Sequence, residues 1–137
     1  MRLQRQTSCA VVALILSETA GCSANLVEVI PGVCTQELRP GVVVEIRDAQ
    51  TNTPLARTAT GVVREGAYVD SLRPAGSLTA DPESLYSRAA AGERAGTYEI
   101  EVQRAGYVTF RRSGVRVERD ECHVQTVHVV AALVPTP

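Results

Sequence analysis

The chain has 137 residues, about one domain's worth of sequence, and its 45% hydrophobic and 21% charged content fits neither a disordered polyelectrolyte nor a polytopic membrane protein. Fourteen basic residues, all arginine, against fifteen acidic ones leave a net charge of −1, without the basic excess that nucleic-acid binding calls for. Twenty valines, twelve threonines and four isoleucines are β-branched, and that density favours sheet.

The first 22 residues differ from the rest. Arg2 and Arg5 make a basic start, Cys9 to Leu16 is an unbroken apolar run, and Ser17 to Cys22 closes with small residues. That is the layout of an export signal. Eight apolar residues are too few to cross a bilayer, which takes roughly 20. A buried N-terminal helix is the competing reading. Thr19-Ala20-Gly21-Cys22 resembles the lipobox of bacterial lipoproteins, where cleavage precedes the cysteine and its thiol receives a diacylglycerol. Ala20 and Gly21 match that pattern, while Thr19 stands where leucine or a similar aliphatic residue is usual. The alternative is ordinary cleavage after Ala24, with Cys22 and Ala24 as the small residues flanking the cut. The resemblance implies a signal peptide over 1–21, lipid on Cys22, and a cell-envelope protein anchored to membrane. Ser23, where an inner-membrane lipoprotein often has Asp, favours the outer membrane. Either cleavage leaves the mature protein outside the cytoplasm.

Removal of residues 1–21 leaves 116 residues of net charge −2, able to bury roughly two-thirds of their unfolded surface in one core. Cys9 leaves with the signal and Cys22 takes the lipid. Cys34 and Cys122 remain, and in an oxidising space they are expected to form a disulfide. Two separate buried thiols are the alternative. Neither cysteine has a second zinc ligand at finger-like spacing. Residues 22–37 read as a tether and edge segment, and 38–134 as the folded domain.

Within that domain, Gly41 to Asp48 alternates, with Val42, Val44 and Ile46 on one face and Glu45 and Arg47 on the other. Asp48 to Pro54 is a turn in which Asn52 suits a left-handed conformation. Ala56 to Arg64 and Ala67 to Arg73 read as strands joined by a hairpin at Glu65-Gly66. Arg73 to Pro82 is a loop. Leu85 to Ala91 reads as a strand turning through Gly92 to Gly96, with a helix opened by Asp81-Pro82-Glu83 as the alternative. Thr97 to Gln103 is the clearest strand, with Tyr98, Ile100 and Val102 facing one way and Glu99, Glu101 and Gln103 the other. Gly106 to Phe110 and Gly114 to Glu118 follow as short strands. Cys122 to Leu133 changes phase, because Cys122 and Val124 are even-numbered while Val127, Val129 and Leu133 are odd. A β-bulge near Gln125-Thr126 is expected. About seven short strands at this turn spacing indicate an all-β, antiparallel sandwich of prealbumin or immunoglobulin-like type.

Several of these pieces together resemble the carboxypeptidase regulatory-like domain, a prealbumin-like β-sandwich. They are Val42 to Asp48 followed by Thr51-Asn52 and Pro54-Leu55-Ala56, then Gly96-Thr97-Tyr98 with its alternating sequel, and Ala105-Gly106-Tyr107. Asn52 replaces the usual glycine. Asp120-Glu121-Cys122-His123-Val124 resembles a subgroup of small bacterial lipoproteins carrying the domain. The similarity spans about residues 38–134, and its motifs are structural.

Chemistry is sparse. Transthyretin-like hydrolases share the architecture but close on Tyr-Arg-Gly-Ser, where this chain reads Leu133 to Pro137. His123 and His128 are the only imidazoles, with no His-x-x-Glu of a zinc peptidase. They are expected on the surface of the last strand, facing opposite sides unless the bulge returns them to one face beside Asp120 and Glu121. Ser71, Ser77, Ser84 and Ser87 lie in no Gly-x-Ser-x-Gly. Asp81 and Glu83 read as turn or cap residues, not calcium ligands. Tyr98 and Tyr107 are assigned to the core, Tyr68 and Tyr86 to exposed positions, and Arg111-Arg112 to a solvated turn. The expectation is a non-catalytic binding or structural module, without cofactor or metal, meeting an envelope protein or a glycan through the loops Arg73–Pro82 and Gly92–Ala95. A small secreted enzyme, or a metal- or carbohydrate-binding protein on the same scaffold, is the alternative.

Overall fold

Strand β1, Pro40–Asp48, buries Val42, Val44 and Ile46 completely. Val43, on its other face, is only 7% exposed, as befits a strand flanked on both sides. The computed structural model describes residues 34–75 and 83–137. The expected export signal, Cys22 and residues 76–82 of the loop expected after Arg73, with the expected Asp81-Pro82 cap, lie outside the described residues.

After β1 the chain turns on Asp48, and Asn52 takes a positive φ of 61°, as its side chain allows. Leu55 and Ala59 then close a tight turn and are both buried, so the strand expected from Ala56 begins only at Thr60. β2, Thr60–Glu65, and β3, Tyr68–Ser71, form the expected hairpin, turned at Gly66 with φ 55°. Leu72 is the pivot. Its amide bonds to the Gly61 carbonyl, its side chain enters the core, and the two-residue β4, Arg73–Pro74, belongs to the other sheet. The single helical turn α1, Glu83–Tyr86, runs straight into β5, Ser87–Gly92, so both readings of this segment hold over different residues.

β6, Gly96–Gln103, keeps its expected alternation, with Tyr98, Ile100 and Val102 fully buried. Of the two strands expected after it, Gly106 to Phe110 is a turn with an isolated bridge from Tyr107 to Pro135, and the second begins earlier than expected, as β7, Phe110–Val117. Between Tyr98 paired with Val115 and Ile100 paired with Arg112, β7 holds one residue more than β6. This is a bulge, and Gly114 accommodates it at φ 71°. Arg111 and Arg112 are thus exposed strand residues and not a turn.

β8, Val127–Leu133, starts later than expected. Cys122 to Thr126 form a loop that returns Val124 against Arg119, and this loop absorbs the phase change, with no bulge at Gln125-Thr126.

The strands form two four-stranded sheets, ordered β4-β5-β1-β8 and β3-β2-β6-β7, and the fold is an all-β sandwich. There are eight strands, one more than the approximate count from sequence. One pairing also departs from the antiparallel expectation, since β1 and β8 run parallel from Val42–Val127 to Asp48–Leu133. These are the first and last strands, so no hairpin constrains their sense and the intervening domain supplies the crossover. The core lies between the sheets, where Val42, Val44, Ile46, Val129, Ala131 and Leu133 meet Val63, Tyr98, Ile100, Val102, Val115 and Val117. Each fully buried aliphatic side chain there contributes about 1.5–3 kcal/mol relative to exposure.

Candidate functional site

One cluster of polar residues lies near the start of β1, beside the disulfide. Cys34 and Cys122 are disulfide-bonded, with Cα atoms 5.2 Å apart, as expected. The residues that follow the two cysteines meet beside the bond. Thr35 Oγ1 lies 2.9 Å from His123 Nε2. On the other side of the ring, His123 Nδ1 is 2.9 Å from Glu93 Oε1. The same carboxylate oxygen accepts the Arg39 amide at 2.8 Å, and the Glu93 amide donates to the Arg39 carbonyl at 2.9 Å. Asp120 organises the loop from below. Its Oδ1 accepts the backbone amides of Cys122 and His123, each at 2.8 Å, in an Asx-type turn.

His123 is therefore not on the surface of the last strand. It precedes β8, is 8% exposed, and is held from both sides. His128 is the exposed imidazole, on the outer face of β8. The Asp120 carboxyl sits below its ordinary range because the His123 and Cys122 amides stabilise its charge. The Glu93 carboxyl is lowered first by the Arg39 amide and then by the His123 ring. Glu93 Oε1 faces Nδ1 of the ring and Thr35 Oγ1 faces Nε2. Both ring nitrogens are thus engaged by the protein. Glu93 Oε2 is buried with no hydrogen-bond partner among the described residues, and Glu93 itself adopts a left-handed φ of 49°. A shallow open cleft of about 600 Å³ runs beside the disulfide, lined by Thr35, Arg39, Asp120, Glu121 and His123. No group of three His, Cys, Asp or Glu among the described residues is placed to hold a metal ion.

A second polar knot joins two of the segments quoted above. Asp48 Oδ1 accepts the amides of Gln50 and Thr51 at 2.7 and 2.8 Å, and Oδ2 accepts the Tyr107 hydroxyl at 2.8 Å. These bonds lower the Asp48 carboxyl to about 2, the Thr51 amide most and Tyr107 next. The Tyr107 phenol is pushed up in return, chiefly by its bond to Asp48. Tyr107 therefore packs against the core with its hydroxyl tied to the β1 turn. Tyr98 is the fully buried aromatic, donating to the Arg94 carbonyl at 2.9 Å. Tyr86 is exposed as expected, whereas Tyr68 is half-buried under the Arg94 guanidinium, 4.2 Å from its ring centroid.

Arg88 has no carboxylate partner among the described residues. It donates to the carbonyls of Ala56, Leu72 and Arg57 at 2.6, 3.2 and 3.4 Å, and burial lowers its guanidinium. Of the loops assigned to recognition, Gly92–Ala95 carries Glu93, whose carboxylate points into the His123 cluster.

Sequence reasoning missed this cluster. The available signal was adjacency, because pairing Cys34 with Cys122 brings their chain neighbours, Thr35 and His123 among them, into one neighbourhood. Glu93 offered none, since its approach depends on the end of β5.

No family model and no curated protein matches the chain. Among solved structures it is similar to a candidate carbohydrate-binding protein from Bacteroides uniformis, at 13% identity and a TM-score of 0.43. The match covers 71% of this chain and 43% of that one, so the chain spans less than half of that protein's length.

Proposed function

We propose that this chain is an exported cell-envelope lipoprotein. In this reading Cys22 carries the lipid, and a sandwich of the carboxypeptidase regulatory-like kind serves as a non-catalytic binding or structural module toward an envelope protein or a glycan. The observation that carries the reading is the Cys34–Cys122 disulfide. Such bonds persist in oxidising compartments and are rare in a reducing cytosol, so it agrees with an export signal over 1–21. The non-catalytic part is supported by how the titratable groups are used. His123 spends both nitrogens on Thr35 and Glu93, and Asp120 spends Oδ1 on two backbone amides. General-base catalysis needs a lone pair aimed at a reacting proton, and Nε2 of His123 would have to release Thr35 to offer one.

Acyl labelling tests the anchor. Wild-type protein should take up labelled fatty acid and fractionate with membranes, while Cys22→Ser should be unlabelled and retain its precursor mass. A soluble, unlabelled wild type beginning at Asn25 would contradict the proposal. Mild cross-linking of full-length protein in membranes, followed by co-purification, identifies the partner class.

A further inference from the structure

Several hydroxyl groups of the domain give their protons to partners that cannot take them up. Thr58 and Thr126 donate to the carbonyls of Leu55 and Pro40, Tyr98 to that of Arg94, and Tyr107 to the Asp48 carboxylate. A carbonyl is no base, and the Asp48 carboxyl is lowered to about 2. Thr35 differs. Its Oγ1 lies 2.9 Å from Nε2 of His123, and Nδ1 of the same ring lies 2.9 Å from Glu93 Oε1. Hydroxyl, imidazole and carboxylate stand in series, the order in which a side-chain hydroxyl is made nucleophilic.

Each member of the series is fixed by the backbone around it. The disulfide joins the residues that precede Thr35 and His123, and Asp120 Oδ1 accepts the His123 amide at 2.8 Å. Glu93 is tied to the Arg39 backbone in both directions. It is held at φ 49°, a left-handed conformation that a residue with a Cβ keeps where its surroundings impose it. An ionised carboxylate only accepts, so Nδ1 donates to it, and a ring with a single proton keeps its lone pair at Nε2, toward Thr35. Thr35 is exposed and lines the open cleft of about 600 Å³, whereas His123 is 8% exposed. A reagent in the cleft meets the hydroxyl before the imidazole. His123 is therefore closed to outside protons and open to the proton of Thr35.

We infer that Thr35 is a site of acyl modification, its hydroxyl attacking an uncharged activated ester in the cleft. A bond forms between Thr35 Oγ1 and the acyl carbon, and the bond from that carbon to the leaving alcohol oxygen breaks. The Oγ1 proton passes to Nε2 and from there to the departing oxygen, so nothing is oxidised or reduced. The charges around the cleft set the donor class. Asp120 and Glu121 line it with Arg39, which is itself paired with Glu37, and Glu93 lies behind the ring. That negative balance disfavours a phosphoryl donor or any other anion and leaves an uncharged acyl group. The transferred group then fills the side of His123 that the hydroxyl faced. With so little of the ring exposed, water does not reach Nε2 and the ester persists. Such modification without turnover goes beyond the binding or structural role proposed above and does not depend on the lipid anchor.

The test mixes the full chain, purified in detergent, with p-nitrophenyl acetate. Wild type should release one nitrophenolate per chain in a burst and retain one acetyl group, which fragmentation mass spectrometry places on Thr35. Thr35→Ser should keep the burst, and Thr35→Val, of nearly the same shape, should lose it. His123→Gln should slow it by about 100-fold or more, while His128→Gln, on the exposed face of β8, should leave it unchanged. Glu93→Gln should slow it too, and should remove from proton magnetic resonance spectra the downfield Nδ1 signal that a carboxylate partner imposes. Unfolding midpoints by circular dichroism show that each variant is folded. No burst in wild type, or an acetyl group found elsewhere with Thr35 unmodified, overturns the inference and leaves the binding reading standing. Continuous release with no retained acetyl group overturns both.

Discussion

Replacing Cys34 and Cys122 together with alanine opens a loop with a sequence separation of 88. On the chain-entropy account, a crosslink closing that loop removes about 15 cal/mol/K from the unfolded chain, or about 4–5 kcal/mol at room temperature. A second loss is local. The disulfide delivers Thr35 to His123, and without it their hydrogen bond frays, at about 1 kcal/mol. The sum is about 5–6 kcal/mol. Small domains have total stabilities of about 5–15 kcal/mol, so the variant should stand near the limit of folding. Equilibrium unfolding in urea measures this, followed by far-UV circular dichroism because the chain has no tryptophan. Both proteins should carry Cys9→Ser and Cys22→Ser to prevent thiol exchange. A loss below about 1 kcal/mol with an unchanged slope would refute the reasoning, because the crosslink would then constrain little.

Gly61→Ala should destabilise by about 1–3 kcal/mol in thermal melts, since a Cβ there would lie 2.5 Å from the Glu101 carbonyl oxygen and 2.6 Å from Leu72 Cδ1. His123→Ala should cost about 1–3 kcal/mol by stranding Thr35 and part of Glu93, while His128→Ala on the exposed face should stay within about 0.5 kcal/mol; paired unfolding curves separate them. Asp48 has its carboxyl lowered from 3.8 to about 2. Its contribution is therefore present above pH 3.8 and lost as pH falls toward 2, so Asp48→Asn should flatten the acid limb of stability plotted against pH. Unfolding midpoints across that range decide it, and an unchanged acid limb would count against the Tyr107 and Thr51 bonds.

What could be read from sequence was whatever a strand imposes on its own residues. The two-residue period of Val42, Val44 and Ile46, and of Tyr98, Ile100 and Val102, reports a buried face regardless of partners. Gly66 and Asn52 likewise report local backbone geometry. The departures arise where a distant contact decides. Leu72 carries the chain from one sheet to the other, and nothing local distinguishes it from another strand leucine. The bulge at Gly114 is fixed by pairing with β6, which carries β7 back to Phe110. The parallel β1–β8 pairing depends on which ends of the domain meet. The disulfide was legible because the export reading of residues 1–22 leaves Cys34 and Cys122 as the two cysteines of the domain. Its consequence, the Thr35–His123–Glu93 arrangement, required the position of β5.

An exported, lipid-anchored sandwich closed by a disulfide has a distinctive mass, which intact-mass spectrometry of full-length protein from the membrane fraction reads directly. The expected species begins at Cys22 with the added mass of its acyl groups, and lies two hydrogens below the reduced mass because Cys34 and Cys122 are joined. A species that still carries Met1, begins at Asn25 without lipid, or holds Cys34 and Cys122 as free thiols would contradict it.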